Sequence, residues 1–90
     1  DIILAKKIIL VDDSKTIIAT AKMALEELVD DGTITFHTYM NPQKLRDALV
    51  SGTENYDLLI SDINMPQLNG LRLAAELKQL DTFKNKPILI

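Results

Sequence analysis

The chain has 90 residues, 47% of them apolar, with no cysteine and a formal net charge of −3. It is long enough for one small globular domain and no more. The composition excludes a disulfide framework or thiolate zinc site and supplies no basic run or patch for nucleic acid. It also has no apolar stretch near the roughly 18 residues of a membrane span and no signal-peptide pattern.

The first element is Lys6 to Val11, "KKIILV", consecutively apolar and β-branched, which predicts a strand buried on both faces. The pair Lys6-Lys7 reads as its solvated start. From Ser14 the period changes: Ile17, Ala21, Ala24, Leu25 and Leu28 form the inward row of an amphipathic helix, closed at Asp31-Gly32. Thr33 to Tyr39 alternates, with Ile34 and Phe36 on one face and Thr35, His37 and Tyr39 on the other, as in a half-exposed edge strand. Asn41-Pro42 then provides an N-cap and a first-turn proline, and Leu45, Ala48 and Leu49 line a short helix that ends near Gly52. "DLLIS", Asp57 to Ser61, is a second doubly buried strand. Gly70 opens a helix with Leu73, Leu77 and Leu80 inward, and "PILI", Pro87 to Ile90, begins a fourth strand.

Strands alternating with helices imply a parallel sheet covered by helices, an α/β fold. The alternating second strand belongs at an edge, so the first must lie between it and the third, giving the spatial order 2-1-3-4. Right-handed crossovers then place the first helix on one face and the next two on the other. The chain reverses direction between strands 1 and 3, and open α/β sheets bind ligands in the crevice at such a reversal. Asp12 and Asp13 leave the end of strand 1 and Asp62 leaves the end of strand 3, so three acids are expected to meet there.

Clustered carboxylates repel one another, and a hard divalent cation relieves the repulsion. Mg²⁺ takes about six oxygen ligands near 2.1 Å and binds through one or two carboxylates, waters and a phosphate oxygen. Asp13 and Asp62 suit direct ligation, Asp12 direct or water-mediated ligation, and a backbone carbonyl just past Asp62 offers another oxygen. Asp62 is equally suited to act as a nucleophile that forms an acyl phosphate. Taken singly, an Asp after a strand is often only a turn former or helix cap; three at one switch point are harder to explain that way.

"IILVDDS", "LLISDINMP" and the later Gly70 resemble the receiver domain of two-component response regulators. The likeness runs through the whole chain in order and spacing: an acidic pair after strand 1, an acid after strand 3, Met65-Pro66, then glycine before the third helix. The resemblance implies a flavodoxin-like open parallel sheet, with Asp62 as phosphoacceptor, Asp13 as a direct Mg²⁺ ligand and Asp12 as the metal's outer partner. It also implies that Asn64 offers its backbone carbonyl to the metal, with its side chain beside the phosphoryl group. The implied donor is a phosphohistidine on a sensor histidine kinase or histidine phosphotransfer protein, docking around Lys15, Thr16 and Ile17. No membrane or nucleic-acid contact is expected of this segment, and a cytoplasmic location is expected. The implied chemistry is self-catalysed phosphorylation and dephosphorylation of one Asp, not enzymatic turnover.

The family has five strands and five helices, whereas residues 1–90 supply four strands and three helices. They stop before the hydroxyl residue at the end of strand 4 and lack the later lysine. Asp1 in place of a methionine and the apolar run up to Ile90 make the chain read as an incomplete receiver domain. Its strand 4 edge and first-helix face are then expected to be uncovered, and either to pair with another copy or to be completed by further chain. Two rivals stand beside the signalling reading. A haloacid-dehalogenase-type phosphohydrolase needs D-x-D-x-T/V after its first strand, and "DDSKT" lacks it. The other is a non-catalytic receiver-fold piece acting as a dimerisation or interaction module. His37 reads as surface, Tyr56 and Phe83 as packing beneath loops, and Met23 and Met40 as packing residues. "DDSKT" also lacks the glycines of a phosphate-binding loop.

Overall fold

The computed structural model describes residues 4–90, so the expectation drawn from Asp1 lies outside the described residues. The elements are β1 (Lys6–Val11), α1 (Lys15–Asp30), β2 (Ile34–Tyr39), α2 (Pro42–Ser51), β3 (Leu58–Ser61), α3 (Gly70–Lys78) and β4 (Ile88–Leu89). All strand pairs are parallel and the sheet order is β2-β1-β3-β4, as the alternation of β2 predicts.

Local chemistry sets the helix ends. Ser14 caps α1 by accepting the Ile17 N–H (3.3 Å), Asn41 caps α2 through the Gln43 and Lys44 amides, and Asn69 caps α3 through the Arg72 amide (2.8 Å). Such caps satisfy amides that the first helical turn leaves unpaired. After α1 and α2 the chain turns through glycines in the left-handed region, Gly32 (φ 80°) and Gly52 (φ 84°).

Register decides which side chains share a face, because parallel partners on one rung point the same way. Ile9 pairs with His37 and Leu59, Val11 with Tyr39 and Ser61, and Leu59 with Ile88. This face carries the main core: Ile9, Val11 and Leu59 pack with Leu45 and Leu49 of α2 and Leu73 and Leu77 of α3. Met65, Leu68, Tyr56 and Phe83 close it from the loops. The Tyr56 and Phe83 rings stack at 5.3 Å with 12° between planes, so both pack beneath loops as expected.

The other face, with Ile8, Leu10, Phe36, Leu58 and Ile60, has only α1 over it among the described residues, and there several expectations need correction. Ile18 is the one buried residue of α1, flanked by half-buried Ala21 and Leu25; Ile17, Ala24 and Leu28 are exposed. The inward stripe therefore starts one residue later than the spacing predicts, and the residues beside it face solvent. With one helix over this face, Leu58 and Ile60 stay half-buried, so β3 is fully buried on one side only. Met23 (76% exposed) and Met40 (43%) do not pack: one lies on the outer side of α1 and the other in the turn after β2.

The open face expected for β2 is also partly covered. Tyr39 packs against the main core, and its hydroxyl donates to Glu54 Oε2 (2.8 Å). Lys7 is half-buried rather than solvated because its ammonium pairs with the buried Glu54 carboxylate. His37 is exposed, as expected, with Nδ1 3.4 Å from the same carboxylate.

Candidate functional site

β1 and β3 are adjacent and end on the same rung, Val11 opposite Ser61, so the residues that follow emerge side by side. Asp12, Asp13 and Asp62 each offer a carboxylate oxygen, and the three oxygens lie within 4.8 Å of one another. Asp12 is buried, Asp62 half-buried and Asp13 exposed, so the cluster opens outward from the sheet end. A cleft of about 210 Å³ between α1 and β2, lined by Lys22, Glu26, Val29, Asp30 and Phe36, contains none of these acids. The acid site is a shallow cradle rather than that cavity.

Two of the acids, Asp12 and Asp62, are held by backbone groups. The Asp12 N–H donates to the Tyr39 carbonyl (3.0 Å), and Asp12 Oδ1 accepts the Ser14 N–H (2.8 Å), tying the acid to the start of α1. The Asp62 N–H donates to the Val11 carbonyl (3.1 Å), which carries the β1–β3 ladder one residue beyond the strand. Asp62 Oδ1 accepts the Ile63 N–H (2.8 Å). The Ile63 carbonyl then accepts from both Met65 (3.2 Å) and Gly70 (3.0 Å), folding the loop back onto α3. Met65 and Leu68 anchor that loop in the core, while Asn64 and Pro66 are exposed.

Gly70 has a steric reason to be glycine. A Cβ built there would overlap the Asp62 carbonyl oxygen and lie 2.8 Å from Ser61 Oγ. The first turn of α3 can approach the acidic residue this closely only without a side chain.

The structure thus gathers Asp12, Asp13 and Asp62, and places Asn64 on the loop just beyond Asp62. Lys15, Thr16 and Ile17 are exposed on the first turn of α1, next along the chain from Asp13. Three oxygens this close, two of them from residues open to solvent, are a donor set for a hard divalent cation. Two features escaped the sequence reading. Ser61, a lone hydroxyl at the end of an apolar run, donates to the Asp62 carbonyl (2.9 Å). The Glu54 network joins residues from three separate segments, and nothing local in the sequence signals it.

A family model described as the response regulator receiver domain matches residues 8–90. The chain belongs to that family. This receiver domain is 34% identical over 83 residues to the probable transcriptional regulator ycf29 of Pyropia yezoensis, covering 92% of this chain and 35% of that protein. It is 29% identical over 85 residues to protein PilG of Pseudomonas aeruginosa, covering 93% of this chain and 58% of that one. The chain therefore spans only about a third to three-fifths of the length of these relatives. Among solved structures it is similar to the signal receiver domain of a signal transduction histidine kinase from Syntrophus aciditrophicus. That match has a TM-score of 0.77 and 27% identity, covering 93% of this chain and 59% of that one.

Receiver domains are the phosphoacceptor modules of two-component signalling, and they interact with histidine kinases or phosphotransfer proteins. They bind Mg²⁺ at a cluster of acidic residues, and the cluster of Asp12, Asp13 and Asp62 fits that requirement. Among the described residues, no helix is long and apolar enough to cross a membrane.

Proposed function

We propose that Asp62 is the phosphoacceptor of this receiver domain, and that Asp12, Asp13, Asp62 and the Asn64 backbone carbonyl hold Mg²⁺. The observation that carries this reading is the meeting of the three carboxylates within 4.8 Å at the ends of β1 and β3. Asp62 suits the nucleophile's role because it is the half-buried member, fixed by its own strand yet reachable from outside.

An Asp62 carboxylate oxygen attacks the phosphorus of a phosphohistidine on a sensor kinase or phosphotransfer protein. The new O–P bond forms as the P–N bond breaks, and the electron pair leaves with the donor imidazole. When bound, Mg²⁺ draws charge from the transferring phosphoryl oxygens. Asp12, tied to the Ser14 amide, and Asp13, open to solvent, would hold that cation together with Asp62. Water attack at phosphorus later breaks the O–P bond and restores the carboxylate. The donor docks over Lys15, Thr16 and Ile17, which are exposed on the first turn of α1 just after Asp12 and Asp13 in the chain.

The test is incubation with acetyl phosphate and Mg²⁺ followed by intact mass. One phosphoryl adduct that needs Mg²⁺ and is absent from Asp62→Asn supports the reading; an adduct undiminished in Asp62→Asn sinks it.

A second reading, homo-association through the α1 face and the β4 edge, is favoured by a separate observation. Leu89 (59% exposed) pairs with half-buried Ile60 at the open edge, and Ile90 (45%) follows it, leaving an apolar margin. Sedimentation distinguishes it, since association at that margin is insensitive to Asp62→Asn.

A further inference from the structure

At the end of β3 the ladder to β1 stops with the Asp62 N–H on the Val11 carbonyl, and the Asp62 carbonyl lies beyond that bond. A carbonyl packed against a helix needs another donor. Ser61 supplies it: its side chain points into the core face on the rung of Val11, it is 4% exposed, and its Oγ donates to the Asp62 carbonyl at 2.9 Å. Gly70 makes room for this arrangement, since a side chain there would crowd both the carbonyl and the hydroxyl.

The same peptide unit is held at its other end. Its N–H, on Ile63, donates to Asp62 Oδ1 at 2.8 Å. One plane therefore carries a carbonyl fixed by Ser61 and an amide that fixes one oxygen of the acidic side chain. Because a peptide unit is rigid and planar, turning the carbonyl also turns the amide. Oδ2 of Asp62 is left without a protein donor among the described residues.

We infer that Ser61 is a positioning residue for Asp62: its hydroxyl sets the 62–63 peptide, whose N–H occupies Oδ1 and leaves Oδ2 as the oxygen that bonds to phosphorus. The inference rests on the reading of Asp62 as phosphoacceptor. An apolar residue at position 61 would fill the same core space, but the peptide would then be free to rotate and the carboxylate would lose its fixed orientation.

The test uses the full-length protein with acetyl phosphate as donor, following the initial rate of adduct formation by intact mass across a Mg²⁺ series. Ser61→Ala is expected to keep its circular dichroism spectrum and its half-saturating Mg²⁺, while its maximal rate falls about tenfold or more. Ser61→Thr, which restores the hydroxyl, should recover most of the rate. Ser61→Cys, slightly larger and a weaker donor, should fall between them. A Ser61→Ala rate equal to wild type, or a Ser61→Thr rate as slow as Ser61→Ala, overturns the inference.

The Ile63 amide proton gives a readout independent of labelling. Its NMR resonance should lie downfield in wild type, move upfield in both Ser61→Ala and Asp62→Asn, and return in Ser61→Thr. An unmoved resonance in Ser61→Ala overturns the positioning role even if labelling changes. An unlabelled wild type whose Ile63 resonance behaves as expected overturns the acceptor reading alone.

Discussion

The Tyr39 hydroxyl donates to Glu54 Oε2 at 2.8 Å, while the Tyr39 backbone carbonyl accepts the N–H of Asp12 at 3.0 Å. One residue of the edge strand thus links a buried carboxylate beneath α2 to the acidic cluster at the sheet end. Glu54 also receives the Lys7 ammonium and the Asn55 amide (3.1 Å), and His37 lies beside it. The network pins the α2–β3 loop to β1 and β2.

Its clearest signature is in pH. Burial pushes the Glu54 carboxyl up, but hydrogen bonds from Lys7, Tyr39, the Asn55 amide and His37 outweigh that and hold it at about 2, below its ordinary 4.5. A carboxyl lowered by folding adds stability that is complete above its unfolded value and lost as pH falls through its folded value. The advantage of wild type over Glu54→Gln should therefore be full above pH 4.5 and vanish as pH drops toward 2. Thermal unfolding of both proteins across that window checks it. An advantage that stays constant with pH would contradict it.

Two tyrosines should respond oppositely to loss of the hydroxyl. Tyr39→Phe removes a donor from the buried Glu54 carboxylate, and hydrogen bonds to charged groups contribute about 1.5–3 kcal/mol, so its melting point should fall. The Tyr56 hydroxyl is buried with no hydrogen-bond partner among the described residues, and burial pushes its phenol up to about 12. An unsatisfied buried polar group costs about 1–3 kcal/mol, so Tyr56→Phe should raise the melting point while keeping the stack on Phe83. Shifts of the same sign in the two variants would show that the hydroxyls are not distinguished in this way.

Gly70→Ala tests the close approach of α3 to Asp62. Alanine in place of glycine within a helix normally gains about 1 kcal/mol. Here the added methyl meets the Asp62 backbone, which cannot swing aside as a flexible side chain would. The expected outcome is a lower melting point together with slower acetyl phosphate labelling. A more stable, normally labelled Gly70→Ala would mean that the loop yields without consequence.

The acid cluster should destabilise the metal-free fold and stabilise the metal-bound one. Ligand linkage predicts that Mg²⁺ at ten times its dissociation constant adds about 1.4 kcal/mol. In Asp13→Asn that gain should disappear, while the metal-free protein melts higher because one repelling charge is gone. Differential scanning calorimetry with Mg²⁺ and with EDTA reads both. An equal Mg²⁺ gain in wild type and Asp13→Asn would remove Asp13 from the ligand set.

Much of this arrangement was legible in the residues because it rests on period and position. The alternation of Ile34 to Tyr39 against the continuous run of Lys6 to Val11 was enough to order the sheet. The order in turn brought Asp12, Asp13 and Asp62 to one crevice. The phase of α1 was not legible: Ile17 and Ile18 are adjacent, and Met23, Ala24, Leu28 and Val29 spread apolar character around the helix, so spacing alone does not choose a stripe. The burial of Tyr39 and Lys7 was not legible, because their partner, Glu54, lies far along the chain and shows no local pattern. Ser61 looked like the ragged end of an apolar strand, and only its 2.9 Å bond to the Asp62 carbonyl gives it a role.

The proposed role of Asp62 as carrier of the phosphoryl group can be located chemically. Borohydride reduction of the protein after treatment with acetyl phosphate and Mg²⁺ converts an acyl phosphate into an alcohol that peptide mass spectrometry can locate. Reduction is expected at Asp62 alone, dependent on Mg²⁺. Reduction at Asp12, at Asp13 or at a carboxylate outside the cluster would contradict it.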